Sequence, residues 1–303
     1  MAVSTEVRWN HHIEAWAYQG YLNHFGNMPF DKASDAGANW MLNIGPKISR
    51  HKTILRNLRL AFPNETEAWR EDVARATWAQ MGRTAAELPH MHEITFAPGD
   101  RAQLIGAERF DAVKASGKGA VFVGGHIANF ELIPVVIVRQ GVTCAMSYRP
   151  VNNPLIDKKL LAMRVGYGAT LQAAKGREGG MTQLRALKRG QSVAMLNDQK
   201  YDEGLRIPFF GHDAMTTDAA ARMAYQFDVP LIPLAVRRVK NTHFTVTALE
   251  PIAFDRTVPA DHAVKDAVVA ISNFIESQVR AAPEQWFWVH NRWPKNIVKE
   301  IEG

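Results

Sequence analysis

The chain has 303 residues, 47% of them hydrophobic and 22% charged, enough apolar content for a sizeable core, which excludes a disordered chain. Its one cysteine, Cys144, excludes an intrachain disulfide and fits a reducing compartment. The net charge of +6 is either plain solubility charge or the mark of an acidic partner: nucleic acid, anionic lipid or an acidic carrier protein. The first residues lack a basic start followed by an apolar run, so no secretory leader is expected. No run of about 18 apolar residues suggests a transmembrane helix.

Residues 9–28 read as a helix carrying Trp9, Ile13 and Trp16 on one side, with Tyr18, Leu22 and Phe25 roughly opposite. Aromatics on two faces fit a helix packed between other helices, or one lying between protein and a lipid interface. Residues 36–62 read as further helix. Lys47, Arg50, Lys52, Arg56 and Arg59 follow one another there without an acid, beside the apolar stripe of Ile54, Leu55, Leu58 and Phe62. Such a segment suits an anionic surface or a phosphorylated ligand, or is a solvated helix face. Pro63 ends it, and residues 65–90 read as another helix around Trp69, Val73, Met81 and Leu88.

From about residue 103 the rhythm changes to short apolar runs alternating with helical stretches: AVFVGG, then ELIPVVIVRQ; VTCAMSY, then NPLIDKKLLAMRVG; SVAMLN; TTDAAARMAYQF; then VPLIPLAVRR and HFTVTAL as a hairpin-like pair. Residues 262–280 read as a helix, and QWFWVHNRW (285–293) as a last strand and its exit. The expected fold is α/β, a mostly parallel central sheet flanked by helices. A helical N-terminal region (1–100) would pack on an α/β core (101–303).

Several chemistries lack their motifs. No G-x-S-x-G elbow, phosphate loop or dinucleotide fingerprint is present. The His and Glu residues of HHIEA (11–15) and HMHE (90–93) lack H-E-x-x-H spacing, and no metal site is expected. Cys144, in the strand-like GVTCAMSY, does not read as a nucleophile.

One stretch does point to chemistry: GAVFVGGHIANFELIP (119–134). Ligands of open α/β sheets bind at the carboxyl ends of strands, where His126 would sit. Gly124 and Gly125 permit a sharp turn and a close backbone approach. Pro134 fits only the first turn of the next helix, which places Glu131 at or near its start. From there Glu131 could reach one ring nitrogen and leave the other free to take a proton. This is the base-and-orienter part of a triad without its nucleophile, a role open to a substrate hydroxyl. The plain alternative is a structural histidine closing a strand end.

The stretch GGHIANFEL resembles the H-x-x-x-x-E motif of the bacterial late acyltransferases of lipid A assembly. Many relatives carry phenylalanine-glycine-asparagine-tryptophan-glutamate after the histidine; here the run is Ile127, Ala128, Asn129, Phe130, Glu131. Further blocks are similar in the same order: RNLRLAFP (56–63), SYRPVNNPLID (147–157), NDQKYDEGLRIPFFGHDAMTTDAAARMAY (197–225) and EQWFWVHNRWP (284–294). The resemblance implies a glycerolipid-acyltransferase-like fold and transfer of a fatty acyl chain from an acyl-carrier-protein thioester to a hydroxyl of a Kdo-bearing lipid A precursor. It implies no bound cofactor, the donor being carried on the carrier's phosphopantetheine. His126 would be the general base and Glu131 its orienter. Asn129, Arg149 and Arg292 would bind the acceptor, and Asp198 and Gln199 would hold acceptor sugar or shape the site; the plain alternative for Arg149 or Asp198 is a structural ion pair. Trp286, Phe287 and Trp288 read mainly as core.

The basic surplus then has two targets, the anionic membrane surface and acyl carrier protein, and the run from Lys47 to Arg59 is the first contact expected for either. No nucleic-acid module is present, so nucleic acid is not an expected partner. The implied location is the cytoplasmic face of the inner membrane. The alternatives are the same chemistry on another glycolipid or lysolipid, such as a phosphatidylinositol mannoside, and a non-catalytic lipid- or carrier-binding protein.

Overall fold

The computed structural model describes residues 7–148, 150–169, 171–174, 176–294 and 296–298. Four helices come first: α1 (Trp9–Gly26), α2 (Phe30–Ile44), α3 (Arg50–Ala61) and α4 (Glu67–Glu87). The helix expected over 36–62 is broken at Gly45–Lys47, a short 3-10 turn, because Pro46 supplies no backbone N–H. Helix α3 buries Ile54 and Leu58 and leaves Lys52 and Arg59 outside, as its pattern predicts. Helix α4 begins where the Thr66 hydroxyl accepts the Trp69 amide at 3.1 Å. Helices α2 and α4 cross at Gly37 and Gly82. A Cβ on Gly82 would lie 2.1 Å from the Gly37 carbonyl oxygen, so only glycine allows this approach.

The α/β region runs β1 (Ala102–Ile105), α5 (Ala107–Ser116), β2 (Val121–Gly124), α6 (Leu132–Arg139), β3 (Cys144–Tyr148), α7 (Pro154–Gly166), β4 (Leu171–Ala174), α8 (Arg177–Lys188), β5 (Ser192–Leu196), β6 (Leu205–Phe209), β7 (His212–Thr216), α9 (Ala219–Phe227), β8 (Leu231–Lys240), β9 (His243–Ala248) and α10 (Ala260–Ala281). The main sheet has the order β1-β9-β8-β2-β5-β3-β4. All its neighbours are parallel except the β8–β9 hairpin. Strand β2 lies near the middle and is buried along its whole length, which explains its unbroken apolar sequence. Strands β6 and β7 form a separate antiparallel hairpin around Phe210 and Gly211. The α/β class, the mostly parallel sheet and the helical N-terminal region are as the sequence predicts.

The C-terminal block departs from expectation. Residues 283–285 form a 3-10 turn, and the chain beyond is irregular, with an isolated bridge between Trp286 and Ile127 in place of a strand. Burial does alternate, with Trp286 and Trp288 buried and Phe287 and Val289 half-buried, yet the aromatic run makes no strand. Each indole N–H finds its own acceptor instead of a ladder: Trp286 the Asp198 carboxylate at 2.7 Å, Trp288 the Pro283 carbonyl at 2.7 Å, Trp293 the Phe209 carbonyl at 3.1 Å. The Asn57 amide holds the backbone in place by donating to the carbonyls of Trp288 and His290, both at 2.8 Å.

Candidate active site

Strands β2 and β5 are adjacent and parallel, with Gly124 opposite Leu196. Two residues beyond each strand end stand His126 and Asp198, so the register that pairs the strands also pairs these side chains. Asp198 Oδ1 accepts from His126 Nδ1 at 2.7 Å. Its Oδ2 accepts the His126 backbone N–H and the Trp286 indole N–H, each at 2.7 Å. Burial works against the Asp198 charge. The charge and hydrogen bonds of His126 outweigh it, with help from His290, and hold the carboxyl well below the usual carboxylate range. An ionised Asp198 fixes the proton on Nδ1, so Nε2 is the free acceptor. The Gln199 side-chain amide nitrogen lies 3.3 Å from Nε2.

This corrects the expected pairing. Glu131 is turned the other way: Tyr167 donates its hydroxyl at 3.0 Å, Arg164 donates from Nε at 3.1 Å, and a second Arg164 nitrogen makes a closer contact. Glu131 does occupy the N-cap position of α6, with Pro134 in the first turn. The cap points its side chain toward α7 rather than back to the imidazole. Burial and the Glu131 charge together push the Tyr167 hydroxyl far above its usual range, so it stays protonated and donates. The close approach expected of the glycines is present at Gly124, but the turn itself does not use glycine. The left-handed residue of the turn is Ala128, at φ 50°, while a Cβ on Gly124 would come within 2.5 Å of Ile133 Cδ1 and 3.2 Å of the Leu234 carbonyl.

Two further expectations are corrected. Asn129 is fully buried and donates to Glu87 Oε2 at 2.8 Å, so it faces protein and not an acceptor. Arg292 is 1% exposed and binds the Met215 carbonyl at 2.9 Å and the Thr216 hydroxyl at 2.6 Å, with its guanidinium over Phe209. It clamps the β6–β7 hairpin to the C-terminal block. Burial lowers its pKa to about 10, which leaves it cationic at neutral pH. Asp198 belongs to the histidine rather than to a substrate, and Gln199 remains at the site. Arg149 lies outside the described residues. Of the basic run, Lys47, Arg50, Lys52 and Arg59 are exposed; Arg59 also bonds Glu67, and Arg56 reaches Asn291.

His126 opens onto a cavity of about 780 Å³ over the ends of β2, β3 and β5, whose polar lining includes Glu131, Arg164, Gln199 and Lys200. A second cavity of about 250 Å³, lined chiefly by Met81, Ala85, Leu88, Phe130 and Phe287, meets the same histidine. His126, Phe130 and Glu131 line both. The site therefore has one imidazole with a charged pocket on one side and an apolar one on the other. Sequence reading missed Arg164 and Tyr167, which carry no local motif, and the hydrogen-bonding role of Trp286.

Among the described residues no group of His, Cys, Asp or Glu is arranged to hold a metal ion, and no helix is long and apolar enough to cross a membrane. Of the two His/Glu clusters, HMHE is committed internally: His90 joins Glu93 at 2.5 Å and the Phe25 carbonyl at 3.0 Å.

The chain is similar to known proteins along most of its length. The model of the bacterial lipid A biosynthesis acyltransferase family matches residues 1–295. The chain is 27% identical over 252 residues to a lipid A biosynthesis lauroyltransferase of Escherichia coli, covering 80% of this chain and 79% of that protein. It is 24% identical over 258 residues to a lipid A biosynthesis acyltransferase of Haemophilus influenzae, covering 81% and 76%. It is 24% identical over 248 residues to an Escherichia coli lipid A biosynthesis myristoyltransferase, covering 80% and 74%. A match along nearly the whole chain places the protein in the bacterial lipid A biosynthesis acyltransferase family.

Proposed function

We propose that the protein transfers a fatty acyl chain from an acyl-carrier-protein thioester to a hydroxyl of a Kdo-bearing lipid A precursor, with His126 as general base. The observation that carries this reading is His126 Nε2, backed by a buried carboxylate, facing the larger cavity and meeting there the Gln199 amide rather than a serine, threonine or cysteine. The acceptor hydroxyl takes the place of the Gln199 amide and gives its proton to Nε2. Its oxygen attacks the thioester carbonyl, and the tetrahedral intermediate collapses with loss of the carrier thiolate, which receives the proton back from the imidazolium. No acyl-enzyme forms. Asp198 holds the tautomer and stabilises the imidazolium, the contribution a buried carboxylate makes in a triad. Glu131 acts at one remove: it holds Arg164 over the larger cavity, where a guanidinium suits acceptor phosphate or sugar acid. The acyl chain occupies the smaller, apolar cavity.

The enzyme works at the cytoplasmic face of the inner membrane. Trp9 and Trp16 are 78% and 79% exposed on the same side of α1 as Ile13, while Leu22 and Phe25 pack inward. An apolar face turned outward, opposite one that packs on protein, suits a helix lying between protein and a lipid interface. Exposed Lys47, Arg50 and Lys52 meet anionic lipid or the acidic carrier.

Purified protein given acyl-carrier thioesters and a panel of acceptors tests this. Product on the lipid A precursor, lost in His126→Ala, is expected. Product only on another glycolipid moves the acceptor, and undiminished product from His126→Ala overturns the base.

A further inference from the structure

Asn129, expected at the acceptor, faces backward into a buried polar network. Glu87 at the end of α4 is completely buried and ion-paired with Arg238 of β8, through contacts of 2.6 and 2.9 Å. Its Oε2 accepts the Asn129 amide at 2.8 Å, and its Oε1 accepts the Ser34 hydroxyl at 2.6 Å. Asn129 in turn accepts the Glu131 backbone N–H at 3.2 Å, the first turn of α6.

The same network grips the left-handed residue between them. Ala128 donates its N–H to the Gln285 carbonyl at 2.8 Å, and its own carbonyl accepts the Thr84 hydroxyl at 3.2 Å. The Gln285 side chain pairs with the Arg238 backbone through 2.9 and 3.1 Å contacts, and Arg238 Nε donates to Gln80 at 2.8 Å. Helices α2 and α4, strand β8 and the 283–285 turn thus form one network, which holds Ala128 and Asn129 of the loop directly. A buried ion pair is no more stabilising than apolar side chains of similar volume. What this one provides is a carboxylate fixed in direction, aimed at the loop between His126 and Glu131.

We propose that Glu87, held by Arg238, is a positioning residue for the acyl transfer described above: through Asn129 it sets the course of residues 126–131 and hence the placement of His126, Phe130 and Glu131 around the reacting hydroxyl. The inference rests on the acyl-transfer reading for its kinetic consequence but not for the tether itself. Misplacing reacting groups by about 1 Å costs up to roughly a hundredfold in rate. Binding surfaces in the two cavities are otherwise untouched.

The experiment compares wild type, Asn129→Ala, Glu87→Gln and the double variant, each below its unfolding temperature. Asn129→Ala keeps the Glu87–Arg238 pair and therefore the fold. Its kcat is expected to fall roughly ten- to a hundredfold with KM for both substrates within about twofold. The double variant loses no more kcat than Asn129→Ala alone, because both changes cut one tether, although Glu87→Gln lowers stability further. Amide hydrogen exchange at Glu131 accelerates at least about tenfold in Asn129→Ala. A folded Asn129→Ala with wild-type kcat, kcat losses that multiply, or unchanged exchange at Glu131 would each overturn the proposal. If wild type turns over no acceptor, the acyl-transfer reading fails instead, and the exchange measurement alone judges the tether.

Discussion

At the scale of single residues, the site is defined by which carboxylate meets His126. Glu131 is five positions away and Asp198 seventy-two, yet the distant one makes the contact because β2 and β5 are neighbours in register. Ala128 is the residue under most backbone strain in the loop. An L-residue at φ 50° carries about 1–2 kcal/mol that glycine avoids, offset by glycine's larger loss of entropy, about 0.5–1 kcal/mol. Ala128→Gly is therefore expected to stabilise the protein by about 0.5–1 kcal/mol in urea unfolding with activity retained. Loss of stability would show that the Ala128 methyl group, buried beside the smaller cavity, matters more than its strain.

His290 gives a second residue-scale prediction. Burial pushes its pKa down to about 4, aided by His126 and Arg292 and opposed by Asp198. Its ring nitrogens are buried without a hydrogen-bond partner of good geometry. The folded state binds this proton less readily than the unfolded chain, so stability is full above pH about 6.5 and falls as pH drops toward 4. At pH 5 the deficit is about 2 kcal/mol. Asp198 acts in the same direction but in a lower window, its contribution being present above the ordinary carboxylate range and lost only as pH falls through its depressed folded value. His290→Phe should flatten the melting temperature between pH 7 and 5, leaving the Asp198 decline below it. An unchanged slope would mean another group carries that acid sensitivity.

At the scale of elements, α1 combines two faces that sequence alone leaves ambiguous. Leu22 and Phe25 pack on protein, and Trp9, Ile13 and Trp16 do not, so this helix is not packed between other helices on both faces. Replacing Trp9 and Trp16 together by alanine should weaken binding to vesicles of anionic phospholipid by roughly tenfold or more, since each indole buries substantial apolar area. Added salt should weaken wild type further through Lys47, Arg50 and Lys52. Vesicle binding equal to wild type would place the membrane contact elsewhere. Elements with one exposed face, such as α3 and the β8–β9 hairpin, were legible because periodicity records burial on one side. The 285–293 block was not, because it buries alternate residues as a strand does but is held by indole hydrogen bonds rather than a ladder.

At the scale of the whole molecule, strand order decides what local pattern cannot. The glycines and Pro134 make His126 a loop residue at a strand end and Glu131 a helix-start residue from sequence alone. The partner of the imidazole depends on β5 lying beside β2, which no window of sequence contains. Arg164 and Tyr167 enter for the same reason: α7 brings them across the sheet end to Glu131. The helical N-terminal region is likewise part of the site, since α4 walls the smaller cavity with Met81, Ala85 and Leu88.

The central claim is that Asp198, and not Glu131, drives His126. The most direct measurement is the single-turnover rate of acyl transfer from acyl-carrier thioester to the lipid A precursor for Asp198→Asn and Glu131→Gln, both checked for folding. Asp198→Asn should lose roughly 10²–10⁴-fold in the chemical step at saturating substrate, because the tautomer and the imidazolium lose their support. Glu131→Gln should act mainly on acceptor KM through Arg164, with a smaller loss of rate. A Glu131→Gln variant that loses as much rate as His126→Ala, beside an Asp198→Asn variant of near wild-type rate, would contradict the account.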